Sequence, residues 1–215
     1  MSVSIIIPTY NRKKFEKLIE YNINNQLYSN IIEVVIGDDG EEELSLNIKY
    51  PIQYIKCRRM SIGEKRNLLV SQCKGEYIAH MDTDDVYLST FISHSMEVLN
   101  KEKKDAVGTA DMMFIYPDGK KGAMRNPYLS MANEATLVYK KSFWMEKGFS
   151  EQQSSEGIQF LEGRHWKIAH SNILKLMVCI CHTTNTVDKN IWREYNTDVF
   201  PEFEKHKEIL DKISL

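Results

Sequence analysis

Long apolar runs are missing from this sequence of 215 residues. No apolar stretch approaches the roughly 18–20 residues that span a bilayer, so we expect no membrane-spanning segment. The first eight residues hold only a short apolar run and no basic segment, which predicts a β-strand rather than a signal peptide. Linkers rich in Pro, Gly or Ser and internal repeats are also missing, so we predict a single domain over residues 1–215.

An excess of charge of one sign is missing as well. The 28 Lys and Arg residues nearly balance the 30 Asp and Glu residues, which leaves a formal net charge of −2. Because the chain has no overall basic field, we expect neither nucleic acid nor an anionic membrane surface as a partner.

Cysteine is scarce, and none of the four cysteines forms a Cys-x-x-Cys pair. We therefore expect neither a zinc site nor a disulfide framework. Cys179 and Cys181 lie in an apolar, strand-like run, where they are interpreted as small core residues. This cysteine usage suits a reducing compartment, and the predicted location is the cytoplasm.

Predicted strands and helices alternate over the first 100 residues, which indicates an α/β fold with a largely parallel sheet. Apolar runs predict strands at residues 4–7, 31–36, 52–55 and 77–81, and helical spacing predicts helices at 15–27, 63–73 and 88–101. The second half is less regular. It predicts strands at 106–116, 135–139 and 174–181, a loop at 148–155 and a charged terminal helix at 201–213.

The most informative segment follows the predicted strand at residues 77–81. It places three carboxylates, Asp82, Asp84 and Asp85, within four residues. Carboxylates packed at the end of a buried strand repel one another, and a divalent cation offsets that repulsion. Hard oxygen ligands suit Mg²⁺ or Mn²⁺. The alternative is a solvated acidic turn that starts the next helix, since Asp is a good N-cap.

Two more polar segments follow predicted strands. Pro8-Thr9-Tyr10-Asn11-Arg12 follows the first strand, and Asp38-Asp39-Gly40 follows the second. Ligands of parallel sheets bind beyond the carboxyl ends of the strands. We therefore expect these two segments and the acidic segment to line one edge of one sheet.

Together these segments resemble family 2 glycosyltransferases with the GT-A fold, a Rossmann-like nucleotide-diphospho-sugar transferase fold. That fold has a central, mostly parallel mixed sheet flanked by helices. The resemblance is carried by residues 3–12, 34–40, 63–67 and 75–85, in the order and spacing of the family. It implies a nucleotide-binding half at residues 1–100, and an acceptor-binding half with a C-terminal helix at residues 101–215. The small size of the chain and its short second half resemble those of viral members of the family, such as those that glycosylate the capsids of large algal viruses. A viral origin would place the protein in the host cytoplasm.

The resemblance also implies where the nucleoside binds. Pro8 and Arg12 belong to the first strand end, where Thr9 and Tyr10 would flank the base. An aromatic face stacks on a base, and a packed surface aromatic is the alternative for Tyr10.

The second strand end carries Asp38 and Asp39. By resemblance Asp39 accepts a hydrogen bond from a uracil N–H, and a plain β-turn is the alternative. Arg66 would lie near the nucleotide and pair with Asp39 or a phosphate, because a guanidinium matches both partners. The alternative for Arg66 is a solvated helix charge beside Lys65.

Asp82, Thr83 and Asp84 match the Asp-x-Asp signature of the family. The match implies Mn²⁺ (or Mg²⁺) that bridges the two phosphates of a nucleotide-sugar, with Asp84 as the direct ligand. Asp82 would reach the ribose or a metal-bound water, and Thr83 joins the nucleotide-binding set. His182 is a further candidate ligand, since imidazole suits Mn²⁺, although a hydrogen-bonded turn residue also explains it. Asp85 is a reserve ligand or caps the following helix.

The motif that holds the catalytic base departs most from the family pattern. The family places an acidic Glu-Asp pair well after the Asp-x-Asp segment, and the matching region here reads Ser155-Glu156. Glu156 is the predicted base, although a helix cap also explains it. Asp111 is the competing candidate.

These observations predict a metal-dependent, inverting glycosyltransferase that moves a sugar from a UDP-sugar to a hydroxyl of a glycan or glycoprotein. A non-catalytic nucleotide-sugar-binding protein is the alternative that the altered base motif allows. A nucleotidylyltransferase would need a Gly-rich loop after the first strand, which residues 8–12 lack. An aspartyl phosphatase would be expected to place its nucleophile after the first strand rather than the fourth.

Overall fold

The computed structural model describes residues 1–126, 132–183, 185, 189–190 and 193. Its strands, in chain order, are β1 (Val3–Thr9), β2 (Ile31–Asp38), β3 (Ile52–Lys56), β4 (Tyr77–His80), β5 (Asp85–Tyr87), β6 (Ala106–Gly108), β7 (Met112–Ile115), β8 (Lys121–Met124), β9 (Val138–Lys140), β10 (Ile168–His170) and β11 (Met177–Ile180). Its α-helices are α1 (Glu16–Asn24), α2 (Ile62–Gln72), α3 (Phe91–Glu102), α4 (Lys141–Glu146) and α5 (Glu156–Leu161). None of these helices is long and apolar enough to cross a membrane.

Two sheets organise the described part of the chain. Seven strands form the central sheet in the order β10-β6-β9-β4-β1-β2-β3, in which β9 is antiparallel to its neighbours β4 and β6. The other neighbouring strands of this sheet run parallel. Four strands form a smaller sheet in the order β5-β11-β7-β8.

The central strands are buried on both faces, as their continuous apolar runs predict. Every residue of β1 is buried. Ile5 and Ile7 point to the face that α1 covers, and Ile6 points to the face that α2 covers. The alternation of β1 side chains therefore fixes one helix on each side of the sheet.

The predicted α/β fold with a mostly parallel sheet is confirmed, and four element predictions need correction. The strand predicted at 135–139 begins in a 3-10 turn, Glu134–Thr136, and only Val138–Lys140 is a strand. Residues 106–116 form two strands in different sheets, because the chain bends at Thr109, whose amide donates to Thr136 Oγ1 at 3.0 Å. Residues 174–181 begin in a 3-10 turn, and only Met177–Ile180 is a strand. Asp85 does not cap the next helix: it begins β5, and α3 starts after Thr90. The helix predicted at 201–213 lies outside the described residues.

Candidate active site

The carboxyl ends of β1, β2 and β4 lie at one edge of the central sheet, because these strands are parallel neighbours. The three polar segments predicted for that edge therefore come together there. A cleft of about 380 Å³ opens beside the end of β4. Its lining includes five carboxylates and two basic side chains: Asp82, Asp84, Asp85, Glu134, Glu156, Arg66 and Lys189. The cleft therefore has an excess of acidic groups.

Asp39 is the centre of a buried ion-pair cluster at the ends of β1 and β2. Lys65 donates to Asp39 Oδ1, and Arg59 Nη1 donates to Oδ2 at 3.0 Å. Burial alone would raise the pKa of Asp39, but the hydrogen bonds from Lys65, Met60 and Arg59 hold it below its usual value. A carboxylate has about four acceptor positions, so Asp39 keeps capacity for a further N–H donor.

Lys65, and not the predicted Arg66, is the partner of Asp39. The Lys65 ammonium also donates to the Thr9 carbonyl at 2.8 Å, which ties α2 to the end of β1. Thr9 Oγ1 is buried and makes no hydrogen bond within the described part of the chain. Adjacent helix positions point about 100° apart, so Lys65 and Arg66 serve different clusters.

Tyr10 follows this cluster and is 43% exposed. The Arg59 guanidinium lies 3.8 Å from the centre of its ring, so a cation covers one aromatic face. Nothing in the sequence distinguished Arg59 from Arg58, and this contact was not predicted. The turn then passes through Asn11, which has a left-handed φ of 51°. Asn tolerates that conformation better than most residues.

Asp38 stabilises a turn at residues 38–40, which was the alternative to a nucleoside-binding role for this segment. Its Oδ1 accepts from the Gly40 amide at 2.8 Å, and its Oδ2 accepts from the Tyr54 hydroxyl at 2.6 Å. Lys56 lies 3.2 Å from the same Oδ2. These contacts explain Asp38 as a structural residue of the β2 end.

Arg66 is the most deeply buried cation of the site, with 2% of its surface exposed. Its Nε donates to Glu156 Oε1 at 2.8 Å, its Nη2 to Asp82 Oδ1 at 3.1 Å, and its Nη1 lies 3.0 Å from His80 Nδ1. The pKa of Arg66 would fall through burial, but the carboxylates of Asp82, Glu156 and Glu134 raise it above its usual value. Arg66 is therefore not the solvated helix charge of the alternative interpretation.

His80 is a satisfied structural residue, as its position inside a strand predicts. An arginine only donates, so Nδ1 of His80 accepts from Arg66 and its Nε2–H donates to the Tyr139 hydroxyl at 3.0 Å. Burial and the nearby Arg66 hold the pKa of His80 well below its ordinary value. His80 is therefore neutral and fixes the guanidinium of Arg66.

Asp84 and His182 are brought together by the small sheet. Cys179 of β11 lies opposite Asp85 of β5 in antiparallel register, so the chain after β11 runs back beside Asp84. His182 Nε2 lies 3.0 Å from Asp84 Oδ2, and Arg12 Nη2 lies 3.5 Å from the same oxygen. Burial would raise the pKa of Asp84, but His182, Arg12 and Lys189 lower it.

A carboxylate oxygen beside an imidazole nitrogen is a donor set that Mn²⁺ accepts, so Asp84 and His182 fit the predicted metal. Asp82 Oδ1 instead accepts from Arg66. Thr83 is buried between the two aspartates. The described residues contain no group of three or more His, Cys, Asp or Glu side chains arranged for a metal ion. Of the three predicted metal ligands, only Asp84 and His182 therefore contact each other among the described residues.

Asp85 also lines the cleft, but it is buried and held by the backbone of β11. Its Oδ1 accepts from the Ile180 amide at 3.2 Å, and Lys189 Nζ lies 3.8 Å from the same oxygen. Burial and the neighbouring aspartates raise the pKa of Asp85 to about 7, against the opposing charge of Lys189. Its place in β5 explains it as a residue that joins β5 to β11.

The two candidate bases lie in different places. Glu156 is 4% exposed and lines the cleft at the start of α5. Ser155, which precedes it with a left-handed φ of 58°, makes no side-chain cap, so the helix-cap interpretation does not hold. Asp111 is absent from the cleft lining, and its Oδ1 accepts from the Asn126 amide at 2.9 Å.

Glu134 is a cleft carboxylate that the sequence interpretation missed. It lies in the 3-10 turn before β9, and Val138 of β9 is opposite Ala79 of β4 in antiparallel register. That register brings residue 134 beside the chain that leaves β4. A strand was predicted at 135–139, but its direction was not, so the sequence could not tell at which edge Glu134 lies.

Gly63→Ala is expected to destabilise the protein even though Ala is the better helix former. An ideal Cβ at residue 63 would lie 1.7 Å from the Ser150 carbonyl oxygen, so α2 would have to move off the loop that presents Glu156. Overpacking of this kind costs about 1–3 kcal/mol. Urea unfolding measures the loss, and Ser71→Ala, at an exposed position of the same helix, is the control. Equal urea midpoints for Gly63→Ala and Ser71→Ala would contradict the close approach of residue 63 to the Ser150 carbonyl.

The chain is similar in sequence to known glycosyltransferases. The sequence model of the family described as "Glycosyl transferase family 2" matches residues 4–160, well over half of the chain. An uncharacterized glycosyltransferase of Rickettsia felis is 33% identical over 111 residues, which are 49% of this chain and 18% of that protein. The chain thus spans about a fifth of that relative.

Two solved structures share the fold. S. aureus TarS 1–349 in complex with UDP-GlcNAc has a TM-score of 0.63 and 18% identity, over 86% of this chain and 60% of that chain. The mannosyltransferase PcManGT from Pyrobaculum calidifontis, in complex with GDP-Man and Mn²⁺, has a TM-score of 0.58 and 14% identity, over 88% of this chain and 58% of that chain. Both likenesses confirm the predicted α/β sheet architecture.

Proposed function

Because the chain belongs to glycosyl transferase family 2, we propose that it transfers a sugar from a UDP-sugar to a hydroxyl acceptor, with inversion and with the help of Mn²⁺ or Mg²⁺. The observation that carries the proposal is the acidic cleft at the end of β4, beside the ion-pair cluster at the ends of β1 and β2. The acceptor is a glycan or a glycoprotein. The division into a nucleotide-binding and an acceptor-binding half, the viral resemblance and the cytoplasmic location stay predictions.

The charge of the cleft supports the metal. A nucleotide-sugar would place its negatively charged diphosphate in a cleft that is lined by five carboxylates and only two basic side chains. Asp84 and His182 would hold the cation, whose charge neutralises the diphosphate as it leaves. Asp82 is held by Arg66 and would orient a bound ribose or water.

The nucleoside is proposed to bind at the end of β1. Tyr10 offers an aromatic face, and Asp39 offers the acceptor for the uracil N–H. Arg59 covers Tyr10 and contacts Asp39, so it would stack on the base or yield its position to it. The TarS complex holds UDP-GlcNAc, whereas PcManGT holds GDP-Man, so the base is the feature to test first.

A thermal-shift panel with Mn²⁺ tests this donor assignment. UDP-GlcNAc, UDP-glucose, UDP-galactose and GDP-mannose are compared at equal concentrations. A ligand that binds only the folded protein at 100 times its Kd stabilises it by about 2.7 kcal/mol, which is several degrees of Tm in a domain of this size. We expect at least one UDP-sugar to raise Tm and GDP-mannose to have less effect. No shift with any donor would overturn the proposal.

A non-catalytic nucleotide-sugar-binding protein is the second candidate, because the predicted base Glu156 is already bound by Arg66. UDP release from the best donor separates the two functions. Turnover favours the enzyme, and donor binding without any UDP release favours the binding protein.

A further inference from the structure

Glu134 is a carboxylate of the cleft that the predicted site does not use. It shares the lining with Asp82, Asp84 and Glu156. Its backbone lies in the turn before β9, alongside the end of β4, and its side chain lines the cleft. A second acidic side chain therefore stands next to Glu156, although the sequence shows only Ser155 beside it.

The missing side chain at Gly157 makes room for Glu134. An ideal Cβ at residue 157 would lie 2.5 Å from Glu134 Oε1 and 2.6 Å from its Cγ. The Gly157 amide donates to Glu134 Oε1 at 2.8 Å. This hydrogen bond orients the Glu134 carboxylate in the cleft. A carboxylate has about four acceptor positions, so Glu134 keeps capacity to accept a proton.

Glu156 is differently placed. Its Oε1 accepts from Arg66 Nε at 2.8 Å, and the guanidinium is permanently charged. Glu156 is thus engaged as an anionic partner of a buried cation, and breaking such a pair is costly. Burial and the neighbouring Glu156, in contrast, raise the pKa of Glu134, as suits a general base.

Starting from the proposed transfer reaction, we infer that Glu134 is the proton acceptor and that Glu156 is a positioning residue for Arg66. The acceptor hydroxyl oxygen bonds to the anomeric carbon of the donor sugar. The bond from that carbon to the β-phosphate oxygen breaks, and its electron pair leaves on UDP. The hydroxyl proton moves to the Glu134 carboxylate, which later returns it to solvent.

Glu134→Gln tests the inference with little change of shape. The amide oxygen of Gln still accepts from the Gly157 amide, so the turn is preserved while the base is lost. UDP release from the donor that the unchanged protein turns over fastest, with water as acceptor, should fall 10²- to 10⁴-fold in kcat. The Kd for UDP with Mn²⁺, from calorimetry, should change less than about threefold. Glu162→Gln, at an exposed acid paired with Lys147, is the control that keeps activity.

A transplant of the carboxylate gives a second readout. Gly157→Asp alone should lower Tm, because its Cβ meets Glu134. Glu134→Ala removes the three atoms that this Cβ would meet, so the double variant Glu134→Ala/Gly157→Asp should regain Tm. The carboxylate introduced at position 157 then enters the space that Glu134 occupied, but from α5. The rate of UDP release should be at least tenfold higher than in Glu134→Ala.

The outcomes separate this inference from the proposed function. If the unchanged protein releases no UDP from any donor, the proposed function fails and Glu134 has no proton to accept. If it releases UDP and Glu134→Gln is equally active, the inference alone is overturned. A larger kcat loss in Asp111→Asn than in Glu134→Gln would also overturn it. Glu156→Gln should lose Tm together with kcat, which marks a positioning role.

Discussion

Asp84→Ala is expected to make UDP binding indifferent to Mn²⁺. The unchanged protein should bind UDP at least tenfold more tightly with Mn²⁺ than with EDTA, which is about 1.4 kcal/mol. Without metal, the variant should bind UDP no more weakly than the unchanged protein, because it has lost a charge that repels the diphosphate. Calorimetry in the two buffers measures all four constants. A residue that contacted UDP directly would weaken binding in both buffers.

The control for Asp84 is Asp105→Ala. Asp105 pairs with Lys140 at 2.8 Å and precedes β6, at the edge of the sheet opposite the cleft, so this variant should keep its response to Mn²⁺. His182→Ala should reduce the response without removing it, since it loses one neutral ligand. If the unchanged protein binds UDP equally well in EDTA, the metal assignment fails. Arg12, at 3.5 Å from Asp84, would then be the cation that meets the phosphates.

The edge of the sheet was predictable because strands, and the polar residues at their ends, can be recognised in local sequence. The mostly apolar runs of β1 and β2 indicate buried strands, and the polar residues after them had to lie at the carboxyl edge once the strands were parallel. Asp82 and Asp84 were predicted on this basis and His182 by resemblance to the family, and the structure brings Asp84 and His182 within contact distance. β5, at three residues, is too short to show a period.

Which side chains contact each other was not predictable, because this depends on how each helix is rotated against the sheet and on the direction in which each strand runs. Arg66 and Lys65 are neighbours on α2, and only the rotation of that helix against β1 decides which of them meets Asp39. Glu134 and Glu156 are 22 residues apart, and only the antiparallel direction of β9 brings them to one wall. Charge and spacing alone leave both choices open.

Arg66→Met is expected to lower the free energy of unfolding by about 3–5 kcal/mol, the cost of leaving buried charges without their partner. Met replaces much of the side-chain volume but none of the donors. Glu156, which is 4% exposed, loses the hydrogen bond at 2.8 Å, and His80 loses the donor to its Nδ1. Against a typical total stability of roughly 5–15 kcal/mol, this loss is large. Urea unfolding measures it, and Arg58→Met, at a side chain 80% exposed, should change stability by less than about 0.5 kcal/mol.

The double variant Arg66→Met/Glu156→Gln shows whether uncompensated charge is the cause. If it is, removing the negative charge of Glu156 should restore part of the stability lost in Arg66→Met, so the two losses are not additive. The recovery should be incomplete, because Asp82 still lacks its cation at 3.1 Å. Strict additivity would mean that Arg66 stabilises the fold by packing alone. In that case the contact between Arg66 and Glu156 would not depend on charge, and the reason for preferring Glu134 as the proton acceptor would weaken with it.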